Sequence, residues 1–195
     1  MIKPMLCEEI REEELNTLKG EWKAQMKFDG NRLIAIIQNG EVILVNRSGR
    51  IVNFHFKEIE EELKHFPNCV IDGEVIAYNN QFELLQRRAL TTNTFKQEQL
   101  RKEIPCKYMI FDIIQSEGKD LTRIPLKQRF EELSKIWFVY SQLQKTKDSE
   151  MKNNTLNLCP FKPILEYLQI AKDTQSEGII IKNMKKTLGI VAGVI

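Results

Sequence analysis

No pair of residues constrains this 195-residue chain more than Asn39-Gly40. Both residues accept left-handed backbone angles, and a two-residue turn of that kind closes an antiparallel hairpin whose twist matches its strands. The apolar run 33–37 enters the turn and residues 41–45 return from it. Arg47-Ser48-Gly49-Arg50 then turns the chain again, toward a helix in which Ile59, Leu63 and Phe66 share one face and Pro67 sets the end.

Further strands follow. Residues 22–26 lead into Lys27. Residues 70–78 form an apolar strand with Asp72-Gly73-Glu74 inside it, 107–114 read as a buried strand, and 179–182 follow Ser176-Glu177-Gly178. Helices are expected over 82–90, over 164–171, and after Pro125, where Leu126, Phe130, Leu133 and Trp137 line one face. The polar stretch 144–157 is expected to be a loop. Hairpin-joined strands interrupted by helices place the chain in the α+β class with antiparallel sheets, not in a doubly wound parallel sheet.

Composition narrows the function classes. A net charge of +2 permits a nucleic-acid partner without arguing for one. Cys7, Cys69, Cys106 and Cys159 lie far apart, which excludes a zinc finger and suits a reducing compartment. No apolar run reaches the ~18 residues of a membrane span, so no membrane partner is expected and the location expected is cytoplasmic. His55 and His65 have no metal-ligand spacing and read as surface or structural residues.

The chemistry concentrates in Lys27-Phe28-Asp29-Gly30-Asn31-Arg32. A lysine with its reference pKa of about 10.4 is a poor nucleophile while protonated. Beside an arginine, with a metal-bound triphosphate in front of it, it can lose its proton and attack phosphorus. On its own the hexapeptide also reads as a solvated turn, because Asp-Gly is an ordinary turn dipeptide.

Together with Asp72-Gly73-Glu74, Tyr108-Met109-Ile110-Phe111-Asp112 and Glu177-Gly178-Ile179-Ile180-Ile181-Lys182, it resembles the ordered motifs of the covalent nucleotidyltransferases. That superfamily contains DNA ligases, RNA ligases and mRNA capping enzymes. Lys3-Pro4-Met5-Leu6, Phe82-Glu83-Leu84-Leu85-Gln86-Arg87-Arg88, and Gly118-Lys119-Asp120-Leu121 leading to Pro125-Leu126 resemble the adenylation domain of ATP-dependent DNA ligases, in particular bacterial and archaeal end-joining and replicative enzymes.

The resemblance implies an adenylation domain over residues 1–183, with antiparallel sheets flanking an ATP-grasp-like nucleotide cleft. It implies a site in which Lys27 takes AMP from ATP as a phosphoramide, the first step of nick sealing in DNA repair, replication or recombination. Arg32 and Arg47 would supply forked donors to phosphate or ribose, and Lys182 would join the nucleotide site. Glu74 would meet ribose hydroxyls or a metal, and Glu177 would hold Mg²⁺, with Mn²⁺ as a substitute. Phe111 would stack on adenine, and Gln25 would read the adenine edge in the two-bond manner of Gln with adenine. From the residues alone, Arg47 also reads as a hairpin-end surface arginine, Phe111 as a core residue and Gln25 as a polar residue alternating out of a strand.

Ligases of this kind carry a later Trp-x-Lys-x-Lys segment and an OB-fold domain. Neither is found in these 195 residues, and 184–195 reads as a short apolar tail, an added strand or a truncation end. The expected partner is nicked double-stranded DNA, bound by a monomer with an OB-fold or repair partner supplied in trans. Two other readings stay open, an RNA ligase and a nucleotide- or DNA-binding module without turnover.

Overall fold

Two sheets, each with its own helices, account for residues 7–146, 155–188 and 191–194, which the computed structural model describes. In chain order the elements are β1 (Cys7–Ile10), a 3-10 helix (Glu12–Thr17), β2 (Trp22–Met26), β3 (Asn31–Gln38), β4 (Glu41–Asn46) and a second 3-10 helix (Asn53–His55). Next come α1 (Lys57–Leu63), β5 (Cys69–Ala77), α2 (Phe82–Ala89), α3 (Thr94–Glu103), β6 (Cys106–Ser116) and β7 (Lys119–Asp120). The last are α4 (Leu126–Thr146), β8 (Leu156–Leu158), α5 (Ile164–Thr174), β9 (Ile179–Asn183) and β10 (Val191–Val194).

The hairpin forms where Asn39-Gly40 placed it. Asn39 and Gly40 adopt φ of 53° and 79°, and β3 and β4 pair antiparallel from Gln38–Glu41 to Leu33–Asn46. The larger sheet has six strands in the order β4-β3-β5-β6-β7, with β8 beside β6; the smaller has four, ordered β1-β10-β9-β2. The antiparallel expectation holds except at two pairings, β1 with β10 and β6 with β8, which are parallel.

Alternation divides the six-stranded sheet into two faces. One presents Leu33, Ala35, Ile37, Ile71, Val75, Tyr108, Ile110 and Ile113 to α1, α2 and α4, and this is the main core. The four-stranded sheet packs Ala24, Ile179 and Ile181 against Tyr167, Leu168 and Ala171 of α5. Two covalent crossings join the sheets: residues 27–30 between β2 and β3, and 159–163 between β8 and α5. The second crossing is tied at both ends. Cys159 N donates to Ile110 O at 2.7 Å, and Ala24 and Lys162 exchange hydrogen bonds at 2.9 and 3.0 Å.

Several elements departed from expectation. Helix α4 runs on to Thr146, past the start of the expected loop, because Ile136 and Tyr140 continue its buried stripe beyond Leu133. That loop also ends before β8 begins at Leu156, and 147–154 lie outside the described residues, as does Lys3-Pro4-Met5-Leu6. Helix α3 was not foreseen, since only Gln97 and Leu100 of its ten residues are buried. Among the described residues no helix is long and apolar enough to cross a membrane.

Candidate active site

Four residues, 27–30, carry the chain from one sheet to the other. Lys27 N donates to Gly178 O at 3.0 Å, which extends the β2·β9 ladder one step beyond Met26. Gly30 then lies directly on β5. A Cβ at residue 30 would sit 2.2 Å from Val75 O and 2.9 Å from Glu74 Cγ, so only glycine fits. At the other end of the crossing the Lys27 side chain forms an ion pair with Glu177. Their side chains are 31% and 42% exposed, an open pair that contributes little to stability.

Beyond the crossing, the second face of the six-stranded sheet turns polar. Arg32 is paired with Glu74 across β3 and β5, and Ile34 with Asp72, so their side chains share that face. Arg32 grips Asp72 with two nitrogens, Nε to Oδ1 at 2.5 Å and Nη2 to Oδ2 at 2.6 Å. Burial pushes the Asp72 carboxyl up, and the Arg32 fork opposes it. Burial also pushes Glu74 up, to about 7, against the pull of Arg32 and Lys27. A carboxyl held there by lost hydration is stabilised by a cation or a hydroxyl donor.

These side chains meet in a cavity of about 580 Å³. Five of the residues singled out in the sequence line it: Lys27, Arg32, Arg47, Glu74 and Glu177. Asn31 and Gln86 also line it, joined by a 2.8 Å hydrogen bond from Gln86 Nε2 to Asn31 Oδ1. Gln25, Phe111 and Lys182 are not part of this wall. They form an adjoining group reached through Arg32, whose Cζ lies 4.4 Å from the centre of the Phe111 ring.

Lys182 Nζ lies 4.6 Å from the same ring. Lys182 is 4% exposed, and burial lowers its pKa. Phe111 is only partly buried, so it is not a core residue, and its ring is met by two cations. Gln25 is 2% exposed and does not alternate out to solvent. Its Nε2 donates to Cys159 O at 2.8 Å, while Oε1 is buried with no partner among the described residues. The carbonyl can only accept, so it fixes the amide with its oxygen as the unmet group.

Four positions escaped the sequence reading. His55 lines the cavity. Arg129, on α4, forks the Asp112 carboxylate at 2.7 and 2.9 Å with both side chains 1% exposed. Arg88 on α2 is fully buried beneath the cavity wall, and Cys159 supplies the carbonyl that orients Gln25. The two arginines carried a signal, since each charge falls on the apolar stripe of its helix, three residues after Leu126 and Leu85 respectively. His55 carried none.

The donor set can be tested against a metal. Among the described residues no group of three or more His, Cys, Asp or Glu could hold an ion. Glu74 and Glu177 both line the cavity, and a pair of carboxylates suits Mg²⁺, an ion that keeps waters and takes further oxygens from phosphate. The thiols of Cys69, Cys106 and Cys159 are pushed up to about 12 by burial and are inert.

Comparison with known proteins gives one consistent picture. The family described as ATP dependent DNA ligase domain matches residues 4–189. "DNA ligase 2" of Thermofilum pendens is 31% identical over 144 residues, 68% of this chain and 23% of that protein. "Bifunctional non-homologous end joining protein LigD" of Bacillus subtilis is 25% identical over 173 residues, 83% of this chain and 28% of that protein. The chain therefore spans about a quarter of the length of these relatives. Among solved structures, "mycobacterial DNA ligase D complexed with ATP and MES" superposes with a TM-score of 0.72 at 19% identity, over 98% of this chain and 59% of that one. This last likeness concerns the fold.

Proposed function

This chain belongs to the ATP-dependent DNA ligase domain family, and from that premise we propose that it forms a covalent lysyl-AMP on Lys27 as the first step of sealing a nick in duplex DNA. One observation carries the assignment of the nucleophile. Lys27 stands at the crossing between the sheets, on a cavity it shares with two arginines and three carboxylates.

The chemistry follows from that placement. Lys27 Nζ, as the free amine, attacks the α-phosphorus of ATP; an N–P bond forms, the α–β anhydride bond breaks, pyrophosphate leaves, and the lysine proton goes to solvent. Because Nζ waits in an ion pair with Glu177, that pair opens before the bond forms. Arg32 and Arg47 offer donors to phosphate oxygens. Glu74, short of hydration, accepts from the ribose hydroxyls or, with Glu177, would hold Mg²⁺. Bound there, Mg²⁺ would neutralise polyphosphate charge.

On the adjoining side, the unmet Gln25 Oε1 accepts from the 6-amino group of adenine. Phe111 offers its ring to the base once a cation has moved aside, and Lys182 supplies a buried positive charge to the α-phosphate. Nicked double-stranded DNA is the acceptor, and the remainder of a ligase clamp comes from a partner or from further sequence. Intact-mass measurement after incubation with ATP and Mg²⁺ tests the reading, with one added AMP expected. An unmodified wild-type chain would favour a binding module without turnover.

A further inference from the structure

The cavity wall is electrically lopsided. Its carboxylates, Asp29, Glu74 and Glu177, come from the crossing, β5 and the segment before β9. The wall built from the end of β4, the 3-10 helix Asn53–His55 and α2 presents Asn46, Arg47, Ser48, His55 and Gln86, with no carboxylate among its lining residues. We propose that His55 is a phosphate contact in this part of the cavity, acting with Arg47 on a phosphate group beyond the α-phosphate, and that Arg88 and Gln97 are the residues that position it.

The support begins with the backbone. The carbonyl of His55 accepts three hydrogen bonds: from Arg88 Nε at 3.1 Å, Arg88 Nη2 at 2.7 Å and Gln97 Nε2 at 3.0 Å. Arg88 is 0% exposed and is itself fixed by Ile104 O and Glu58 Oε2, each at 2.7 Å. Paired with Glu58 and bonded to two carbonyls, this desolvated guanidinium is a costly device, and two of its nitrogens, Nε and Nη2, go to the carbonyl of His55. It makes sense where the residue carrying that carbonyl has to be kept in place for a ligand.

The side chain agrees. The imidazole is half-buried, edge-on to Phe54 with ring centres 5.2 Å apart, and Nδ1 is buried with no partner among the described residues. That leaves Nε2 as the nitrogen able to meet a ligand. Burial first, and then Arg88, lower the imidazole pKa, which favours the neutral ring. With Nδ1 unprotonated, Nε2 carries the proton and donates.

What it donates to follows from in-line displacement, and here the inference rests on the adenylation reading. Pyrophosphate leaves from the side of the α-phosphorus away from Lys27, and a 5′-phosphate oxygen that later displaces Lys27 enters from that same side. Both present the same chemistry, a phosphate oxygen on a neighbouring phosphorus.

The chain contains two histidines, so its imidazole ¹H–¹⁵N spectrum holds only His55 and an internal reference, His65. The labelled full chain would be titrated with inorganic pyrophosphate and, separately, with a nicked duplex carrying or lacking the 5′-phosphate. The His55 Nε2 signals should move with pyrophosphate, with the phosphorylated nick, or with both, while His65 stays still. A shift with pyrophosphate alone assigns the leaving group, and one with the phosphorylated nick alone assigns the acceptor. His55→Ala should weaken the responding ligand roughly fivefold and His55→Gln, which keeps a donor, should recover most of that loss.

A stationary His55 while the Lys27 and Arg47 amides titrate overturns the proposal. So do an equal response to the unphosphorylated nick and a failure of any cavity amide to respond to either probe. The wild-type titration decides the matter even where a His55 variant does not fold. Parallel mass measurement separates the two readings: a shifting His55 without an AMP adduct sinks only the adenylation proposal, and an adduct with a silent His55 sinks only this one.

Discussion

Arg32 and Arg129 make the same bond in different surroundings. Each grips an aspartate of the six-stranded sheet with Nε and Nη2, at 2.5 and 2.6 Å for Asp72 and at 2.9 and 2.7 Å for Asp112. The Arg129 fork is 1% exposed on both sides, and its Nη1 is spent on Ile124 O at 2.7 Å. The Arg32 side chain is 19% exposed, lines the cavity and covers Phe111, and its Nη1 makes no hydrogen bond among the described residues. A sealed fork has nothing left to offer and serves the fold. A half-open one is anchored by its aspartate and still presents donors, so the pair that looks weaker by burial is the one suited to a ligand.

Substitutions can break or sharpen this contrast. The largest effect belongs to the open side: Lys27→Ala should abolish the AMP adduct seen by mass while shifting the thermal midpoint by no more than about 2 °C, because its ion pair is exposed. An adduct of full yield on the alanine variant would place the nucleophile elsewhere. On the sealed side, Arg129→Met strands the Asp112 carboxylate and should cost about 3–5 kcal/mol in denaturant unfolding. Arg32→Met should cost less stability and lose the adduct instead; the opposite ranking would end the distinction between the forks.

Glu74 supplies a pH signature. Its folded pKa of about 7 lies above its ordinary 4.5, so the folded chain holds the proton more tightly. Stability from this group is full below about 4.5 and is lost as pH rises toward 7, by at most about 3 kcal/mol. Glu74→Gln should flatten the unfolding free energy across that window, and an unchanged slope would show that the carboxyl is hydrated. The smallest effect concerns the base. ATP should label Lys27 better than GTP by about 1–3 kcal/mol, since the guanine 6-oxo group would leave Gln25 Oε1 unmet; equal labelling by GTP would rule out Gln25 as the reader.

Sequence patterns revealed strands and turns well and contacts poorly. Asn39-Gly40 announced its hairpin because turn chemistry is local, and the helix after Pro125 was legible from the spacing of Leu126, Phe130, Leu133 and Trp137. Among the elements that stayed hidden, β1, β8 and α3 are short or mostly exposed and owe their form to distant partners, as when β8 pairs with β6 through Tyr108–Leu156. Strand β7 is only two residues long and folds straight back on β6 through the Glu117-Gly118 turn. Five of the eight residues singled out for the site line one cavity because their motifs flank the sheet crossing. His55 and Cys159 could not be read in advance. One earns its place by a backbone carbonyl and the other by being one, and neither property has a letter in the sequence.

Gly30 shows how such a site limits its own variation. The 2.2 Å gap between a would-be Cβ and Val75 O makes the Asp-Gly dipeptide a gauge of thickness as well as a turn. Any side chain there must lift β5 away from the crossing. Glu74, next to Val75, would move with it, while Lys27 stays tied to Gly178. A lineage changing one residue at a time has no gradual path through this position, because alanine, the smallest step, already pulls Lys27 and Glu74 apart. Asp29, exposed one residue earlier, meets no such limit on space.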